Sequence, residues 1–150
     1  MMLGELNHDQ IETLLHQELI GRIGCSANGI TYVVPVTYAY DGRYIYSHSK
    51  EGKKIQMMRL NPIVCFEVDR MENMSSWKSV ICHGKFEELH SNDRKLGLQK
   101  LINRMHEVET SETAMPRHAV ADAHQNDAGP YKAIIFRIEL KEKTGRFENR

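Results

Sequence analysis

Tyr44-Ile45-Tyr46-Ser47-His48-Ser49-Lys50-Glu51-Gly52-Lys53-Lys54 changes character half-way along. Its first part, apolar and aromatic, reads as a strand. Its second part leads into Ile55-Gln56-Met57-Met58-Arg59-Leu60-Asn61-Pro62, where Ile55 and Met58 are spaced three apart and Pro62 stops the run, as in a short helix. The junction therefore sets two hydroxyls, an imidazole, a glycine and two ammonium groups at a helix N-terminus. Free backbone N–H groups and the positive end of the helix dipole favour an anion there, and a phosphate dianion matches the donors on offer. A lysine-rich junction can equally be a solvated surface. It is not a nucleoside-triphosphate loop, because no glycine lies five residues before Gly52 and no Ser or Thr follows the lysine.

Strands flank this junction on both sides. Upstream, the turn signals Asn28-Gly29 and Asp41-Gly42 bracket residues 30–40, the longest strand candidate. Period two puts Ile30, Tyr32, Val34, Val36, Tyr38 and Tyr40 on one bulky, core-facing side. Thr31, Val33, Pro35, Thr37 and Ala39 form a compact side against which a flat ring could lie. Pro35 lacks a ladder donor, so the strand runs along an edge or carries a bulge. Residues 43–47 return as its hairpin partner. Before it, residues 19–26 form a strand whose Gly21 and Gly24 mark a bulge, a bend or a close backbone approach. A first helix over residues 9–17 is capped by Asn7 or Asp9, with Ile11, Leu14 and Leu15 on one face.

Downstream, residues 63–69 alternate Val64, Phe66 and Val68 against Ile63, Cys65 and Glu67; residues 70–76 read as a polar loop. Residues 77–89 form a long strand with a bend at Gly84. Ser91 caps a second substantial helix to about residue 106, with Leu98, Leu101, Ile102 and Met105 as its apolar stripe. Residues 107–130 lack a period and suit a lid or a partner-contact segment. Residues 131–140 form a last strand, and residues 141–150 read as a charged tail. Short strands at hairpin spacing with a few helices indicate a mainly β, antiparallel barrel with accessory helices, in a single domain spanning residues 1–150. No GxGxxG follows a strand, which argues against a dinucleotide-binding parallel sheet.

Composition narrows the function classes. Lys plus Arg and Asp plus Glu each total 20, so the formal charge is zero and no broad nucleic-acid or membrane-surface footprint is expected. No run reaches membrane-spanning length and residues 1–7 lack a signal pattern, which gives a cytoplasmic expectation. Cys25, Cys65 and Cys82 sit in apolar strand-like runs, as reduced structural thiols do. With no Cys-x-x-Cys or His-x-x-x-His pair, no metal site is expected.

Five segments, in order, resemble one family: Gly21-Arg22-Ile23-Gly24; Val34-Pro35-Val36-Thr37-Tyr38-Ala39-Tyr40-Asp41-Gly42; Ile45-Tyr46-Ser47-His48-Ser49 with Gly52 and Lys54; Asn61-Pro62 through Val64-Cys65-Phe66-Glu67; and Trp77-Lys78-Ser79-Val80 with Gly84. The chain is similar to the pyridoxamine 5′-phosphate oxidase-like proteins, nearest their nitroimidazole-resistance (Nim-type) branch, chiefly over residues 21–88. That resemblance implies a split β-barrel, a homodimer, and flavin mononucleotide (FMN) in each of two grooves between the subunits. By position, Lys54 with His48 and Ser49 would hold the cofactor phosphate, with Lys53 as a further candidate. The main chain at Pro35, Val36 and Thr37 would border the isoalloxazine ring, and Trp77 and Ser79 would line the same groove. The Arg-x-His pair that vitamin B6 oxidases use near their C-terminus is missing from Thr144-Gly145-Arg146-Phe147-Glu148-Asn149-Arg150.

The expectation is thus an FMN-dependent oxidoreductase that reduces nitroaromatic or quinone-like acceptors with a nicotinamide donor. The alternatives are a flavin sensor or storage module without turnover, and a haem or deazaflavin binder on the same barrel.

Overall fold

A computed structural model describes residues 2–109 and 133–149. The elements run β1 (Met2–Glu5), α1 (His8–Gln17), β2 (Ile20–Ala27), β3 (Ile30–Thr37), β4 (Ala39–Tyr40), β5 (Tyr44–Ser49), α2 (Lys53–Leu60), β6 (Ile63–Asn73), β7 (Ser76–Glu88), α3 (Ser91–Glu109) and β8 (Ile134–Asn149). All strand pairs are antiparallel, in the order β3-β2-β6-β7-β8-β5-β4, with β1 added to β8.

The two ends of that path, β3 and β4, are consecutive in the chain and separated only by Tyr38. The sheet therefore curls back on itself, yet β3 forms no ladder with β5. Instead the Ser47 hydroxyl donates to the Thr37 carbonyl at 2.7 Å. A single side-chain bond where a ladder would run leaves the barrel split along one seam. Pro35 lies on β3 beside that seam and pairs in register with Arg22 of β2, at the edge of the sheet, where a residue without an N–H is accommodated.

Inside the barrel, alternation delivers Ile23, Phe66, Val68, Val80, Cys82, Phe136 and Ile138 to a common core, all fully buried. Burying a side chain such as Phe66 contributes about 1.5–3 kcal/mol. Gly21 is required by this core: a Cβ there would lie 2.2 Å from Cζ of Phe66. The close approach at Gly21 comes mainly from the Phe66 ring rather than from another backbone, whose nearest atom, the Glu67 carbonyl oxygen, would lie 3.0 Å from that Cβ. The Asn28-Gly29 turn has positive φ at both residues (53° and 77°), the geometry that joins two twisted strands tightly.

α1 is capped as the sequence indicates. The Asn7 side chain accepts from the Gln10 N–H, the Gln10 side chain accepts from the Asn7 N–H, and Ile11, Leu14 and Leu15 are buried. Tyr38 donates its hydroxyl to the Leu15 carbonyl at 2.7 Å and fastens α1 across the barrel. α3 closes a second, smaller core of Tyr46, Leu89, Leu98, Leu101 and Ile135.

Four expectations need correction. Residues 70–76 are not a loop: β6 continues to Asn73, turns through Met74-Ser75, and β7 begins at Ser76. The segment past residue 140 is not a tail, since β8 runs to Asn149 and pairs with both β7 and β1. The longest strand is therefore β8. Residues 43–47 are not the partner of residues 30–40 as a whole; only Ala39 and Tyr40 pair with β5, whose main ladder is with β8. The two faces of residues 30–40 also do not persist, because the break at Tyr38 turns Ala39 inward to the second core. Of the segment expected as a lid, residues 107–130, the first three residues belong to α3, which runs to Glu109, and the rest lies outside the described residues.

Candidate functional site

The β5–α2 junction brings His48 and Lys54 together. His48 stands near the end of β5, paired in register with Ile135, and Lys54 is the second residue of α2. Burial first, and the charge of Lys54 second, pull the His48 imidazole below its ordinary pKa. Burial likewise lowers the Lys54 ammonium, while the Cys25 thiol works in the opposite direction. Burial pushes that Cys25 thiol up, against the pull of Lys54. Neither His48 nor Lys54 has a side-chain hydrogen bond or anionic partner among the described residues.

The start of α2 adds donors. Gly52 is the N-cap and offers no side-chain bond, and the first intrahelical bond is Gln56 N–H to the Gly52 carbonyl at 3.1 Å. The amides of Lys53, Lys54 and Ile55 precede that bond, so they have no acceptor within the helix. One ammonium group, an imidazole that an anion would help to protonate, and a bare helix N-terminus together offer donors to an anion on half-buried ground.

The other two candidates at this junction are differently engaged. The Ser49 hydroxyl donates to the Lys50 carbonyl at 2.7 Å. The Lys53 ammonium lies over the Tyr32 ring, 4.9 Å from its centroid.

The ring-side candidates lie on the outer face of the sheet. Pro35 is exposed and Thr37 half-buried there, whereas Val36 turns inward to the core, leaving only its main chain toward a ligand. Ser79 shares this face and donates to Glu67 Oε2 at 3.2 Å. Trp77 donates its indole N–H to Glu148 Oε2 at 3.0 Å. Trp77 also lines a cavity of about 370 Å³ with Arg70, Lys78 and Phe147, which takes in neither His48 nor Lys54. Register explains the separation: His48 pairs with Ile135 at one end of β8, Trp77 with Glu148 at the other. Among the described residues Trp77 therefore stands apart from His48 and Lys54, whereas Thr37 adjoins β5 through the Ser47 hydroxyl.

A charged cluster that the sequence did not reveal sits on the same outer face. Arg22 pairs in register with both Pro35 and Glu67, and its Nη1 lies 3.5 Å from Glu67 Oε1 and 3.4 Å from Asp69 Oδ2. Burial, then the adjoining Asp69 carboxylate, pushes Glu67 up to about 7, against the Ser79 hydroxyl and Arg22. The one available signal was the i, i+2 spacing of two carboxylates on an alternating strand. Their meeting with Arg22 depends on the β2–β6 register, which local sequence does not specify. Among the described residues no group of His, Cys, Asp and Glu is arranged to hold a metal ion, and no helix is long and apolar enough to cross a membrane.

A sequence profile described as pyridoxamine 5′-phosphate oxidase matches residues 7–147. The chain belongs to the pyridoxamine 5′-phosphate oxidase family. Within that family the antiparallel split barrel is the shared architecture, and this chain has it. A FAD-binding protein from Mesorhizobium loti is 29% identical, with a TM-score of 0.76 over 99% of this chain and 100% of that one. A protein from Bacteroides thetaiotaomicron assigned to 5-nitroimidazole antibiotic resistance is 20% identical, with a TM-score of 0.71 over 97% of this chain and 87% of that one. An uncharacterised protein of Rhizobium meliloti is 26% identical over 147 residues, 97% of this chain and 95% of its own.

Proposed function

We propose that this member of the family is a flavoprotein that binds FMN at the β5–α2 junction and works as an oxidoreductase. The observation that carries the reading is the pair His48 and Lys54, half-buried at a helix N-terminus without a side-chain cap and with no anionic partner among the described residues. The residues fit a phosphate: charge-assisted hydrogen bonds contribute about 1.5–3 kcal/mol each. Three or four of them plus ring burial reach the roughly 8 kcal/mol of micromolar binding after association costs. The Mesorhizobium loti relative is described as FAD-binding, and the same cradle would take the ribityl phosphate of either flavin. The terminal monoester of FMN carries the extra negative charge that Lys54 and the start of α2 favour.

A second copy of the chain completes the site in this reading. The outer face exposes Ile20, Val33, Ile63, Met71 and Ile81, five apolar side chains that water does not favour. Covering that face would bring Trp77 and Ser79 of one protomer toward the cradle and the Pro35–Thr37 main chain of its partner, forming two grooves per dimer. When bound, the flavin supplies the electron transfer, so the chain itself need only hold and orient it. His48 and Lys54 anchor the phosphate, the β3 edge borders the ring, and Trp77 limits access of water and acceptor. A nicotinamide donor and a nitroaromatic or quinone-like acceptor are the proposed partners.

The test is optical. Purified protein should be yellow and release FMN, identified by chromatography, on denaturation. NADH or NADPH should bleach it, and a nitroaromatic compound should restore the colour. A yellow protein that no nicotinamide bleaches would be a flavin sensor or store, and a colourless or haem-coloured one would refute the flavin assignment.

A further inference from the structure

The carboxylates of Glu67 and Asp69 share one guanidinium nitrogen, Arg22 Nη1, at 3.5 and 3.4 Å. They do so on the sheet face that also presents Val33, Ile63 and Ile81 to solvent. Two negative groups against one positive group are tolerable while water reaches them. Removing that water disfavours the second charge strongly.

The groups facing Glu67 can be named element by element. β2 contributes Arg22; β6 itself contributes Asp69 and Cys65; β7 contributes Ser79, with His83 farther along the same face. From β8, Arg146 pairs in register with Ser79, and Glu142 with His83. Behind the strand lie the apolar core side chains Phe66, Val68 and Val80. No second cation among the described residues is paired with the two carboxylates.

The occupant of this face is a second copy of the chain, as in the reading above on which this inference rests. Formal net charge is zero, so two copies do not repel. The face itself carries both signs, with Arg22 and Arg146 against Glu67, Asp69 and Glu142, so a two-fold arrangement can match it to itself. We propose that association of two copies through this face takes up a proton at the Glu67–Asp69 pair, so that the dimer is tightest below neutral pH and loosens above it.

The sign follows from linkage. Covering the face raises the pair's affinity for its proton above that in the free protomer. At low pH the proton is already present in both states and association is insensitive to pH. Above neutrality each free protomer has lost the proton that it retains in the dimer, so each pH unit weakens association by up to about ten-fold for each of the two pairs, about a hundred-fold in all.

Sedimentation velocity of the flavin-loaded protein at pH 6 and pH 9 tests this. The dissociation constant should rise at least about ten-fold from pH 6 to pH 9. Glu67→Gln, whose amide mimics the neutral acid, should hold it within about two-fold, and Asp69→Asn should flatten it likewise, each with an unchanged thermal midpoint. A wild-type dimer of equal strength at both pH values overturns the proposal while leaving the dimer intact, as does a Glu67→Gln variant with the wild-type pH dependence. Val33→Asp should be monomeric. If it dimerises with wild-type strength, the interface lies elsewhere, and the proposal falls together with the reading beneath it.

Discussion

Across the β5–α2 junction the charge of Lys54 lowers the proton affinity of His48, and neither side chain has an anionic partner among the described residues. A bound phosphate would reverse that effect. The free imidazole lies below its ordinary pKa and the phosphate-bound one above it, so binding takes up a proton between those two values. Flavin affinity should therefore weaken as pH rises from 6 to 9, by up to about ten-fold per pH unit inside that window. Fluorescence titration of the apoprotein with FMN measures this, and His48→Gln should remove most of the dependence. Tighter binding at pH 9 than at pH 6 would refute the assignment of His48.

Lys53 and Lys54 should differ in weight although they are neighbours. Lys53 lies over the Tyr32 ring, while Lys54 points to the cluster with His48 and Cys25. Lys54→Ala should weaken FMN binding by about 1.5–3 kcal/mol, and Lys53→Ala by roughly 0.5–1 kcal/mol. Equal losses would show that the two ammonium groups serve the phosphate alike.

Gly21→Ala tests the packing of the barrel. Its Cβ would fall 2.2 Å from Cζ of the fully buried Phe66 and 3.0 Å from the Glu67 carbonyl. The neighbours cannot yield on the backbone side, so about 1–3 kcal/mol or more of stability should be lost. Urea denaturation reads this directly; a variant as stable as wild type would mean that β2 and β6 separate more easily than the core implies.

Lys143 joins three elements: its ammonium donates to Glu12 Oε1 and to the Tyr40 hydroxyl, each at 2.6 Å, and to the Gly42 carbonyl at 3.3 Å. Burial raises the Glu12 carboxyl, but the bonds from Lys143 and Tyr40 outweigh it and hold the group below its usual value. A depressed folded-state carboxylate stabilises at pH above its unfolded value and loses that contribution as pH falls through the folded value. Lys143→Met should cost about 1–3 kcal/mol at neutral pH, with the gap to wild type narrowing in acid. A gap that is constant from pH 7 to pH 3 would assign the loss to packing instead.

What was legible in the sequence was local. The Asn7–Gln10 capping box, the apolar stripe of α1, the Asn28-Gly29 turn and the edge position of Pro35 each follow from residues a few positions apart. So did the meeting of His48 and Lys54, because a strand-to-helix junction holds both. The far half of β8 was hidden because its outward residues, Glu142, Thr144 and Arg146, are polar, while inward Gly145 and the paired Lys143 supply no apolar alternation. The arm of β6 past Asp69 was hidden for a related reason: it projects beyond the core, where nothing selects apolar residues. The Arg22–Glu67–Asp69 cluster depends on strand register between segments more than forty residues apart, which no local pattern encodes. The separation of Trp77 from the cradle is likewise a property of β8's register.

The flavin content of the purified wild-type protein and of Lys54→Ala, measured by absorbance after denaturation under matched conditions, is the most direct test of the cradle. Near-stoichiometric FMN in the wild type and a marked loss in a folded Lys54→Ala variant is the result expected. Full flavin retention in that variant, or a wild type that takes up no flavin when FMN is supplied, would contradict the placement of the phosphate at the start of α2.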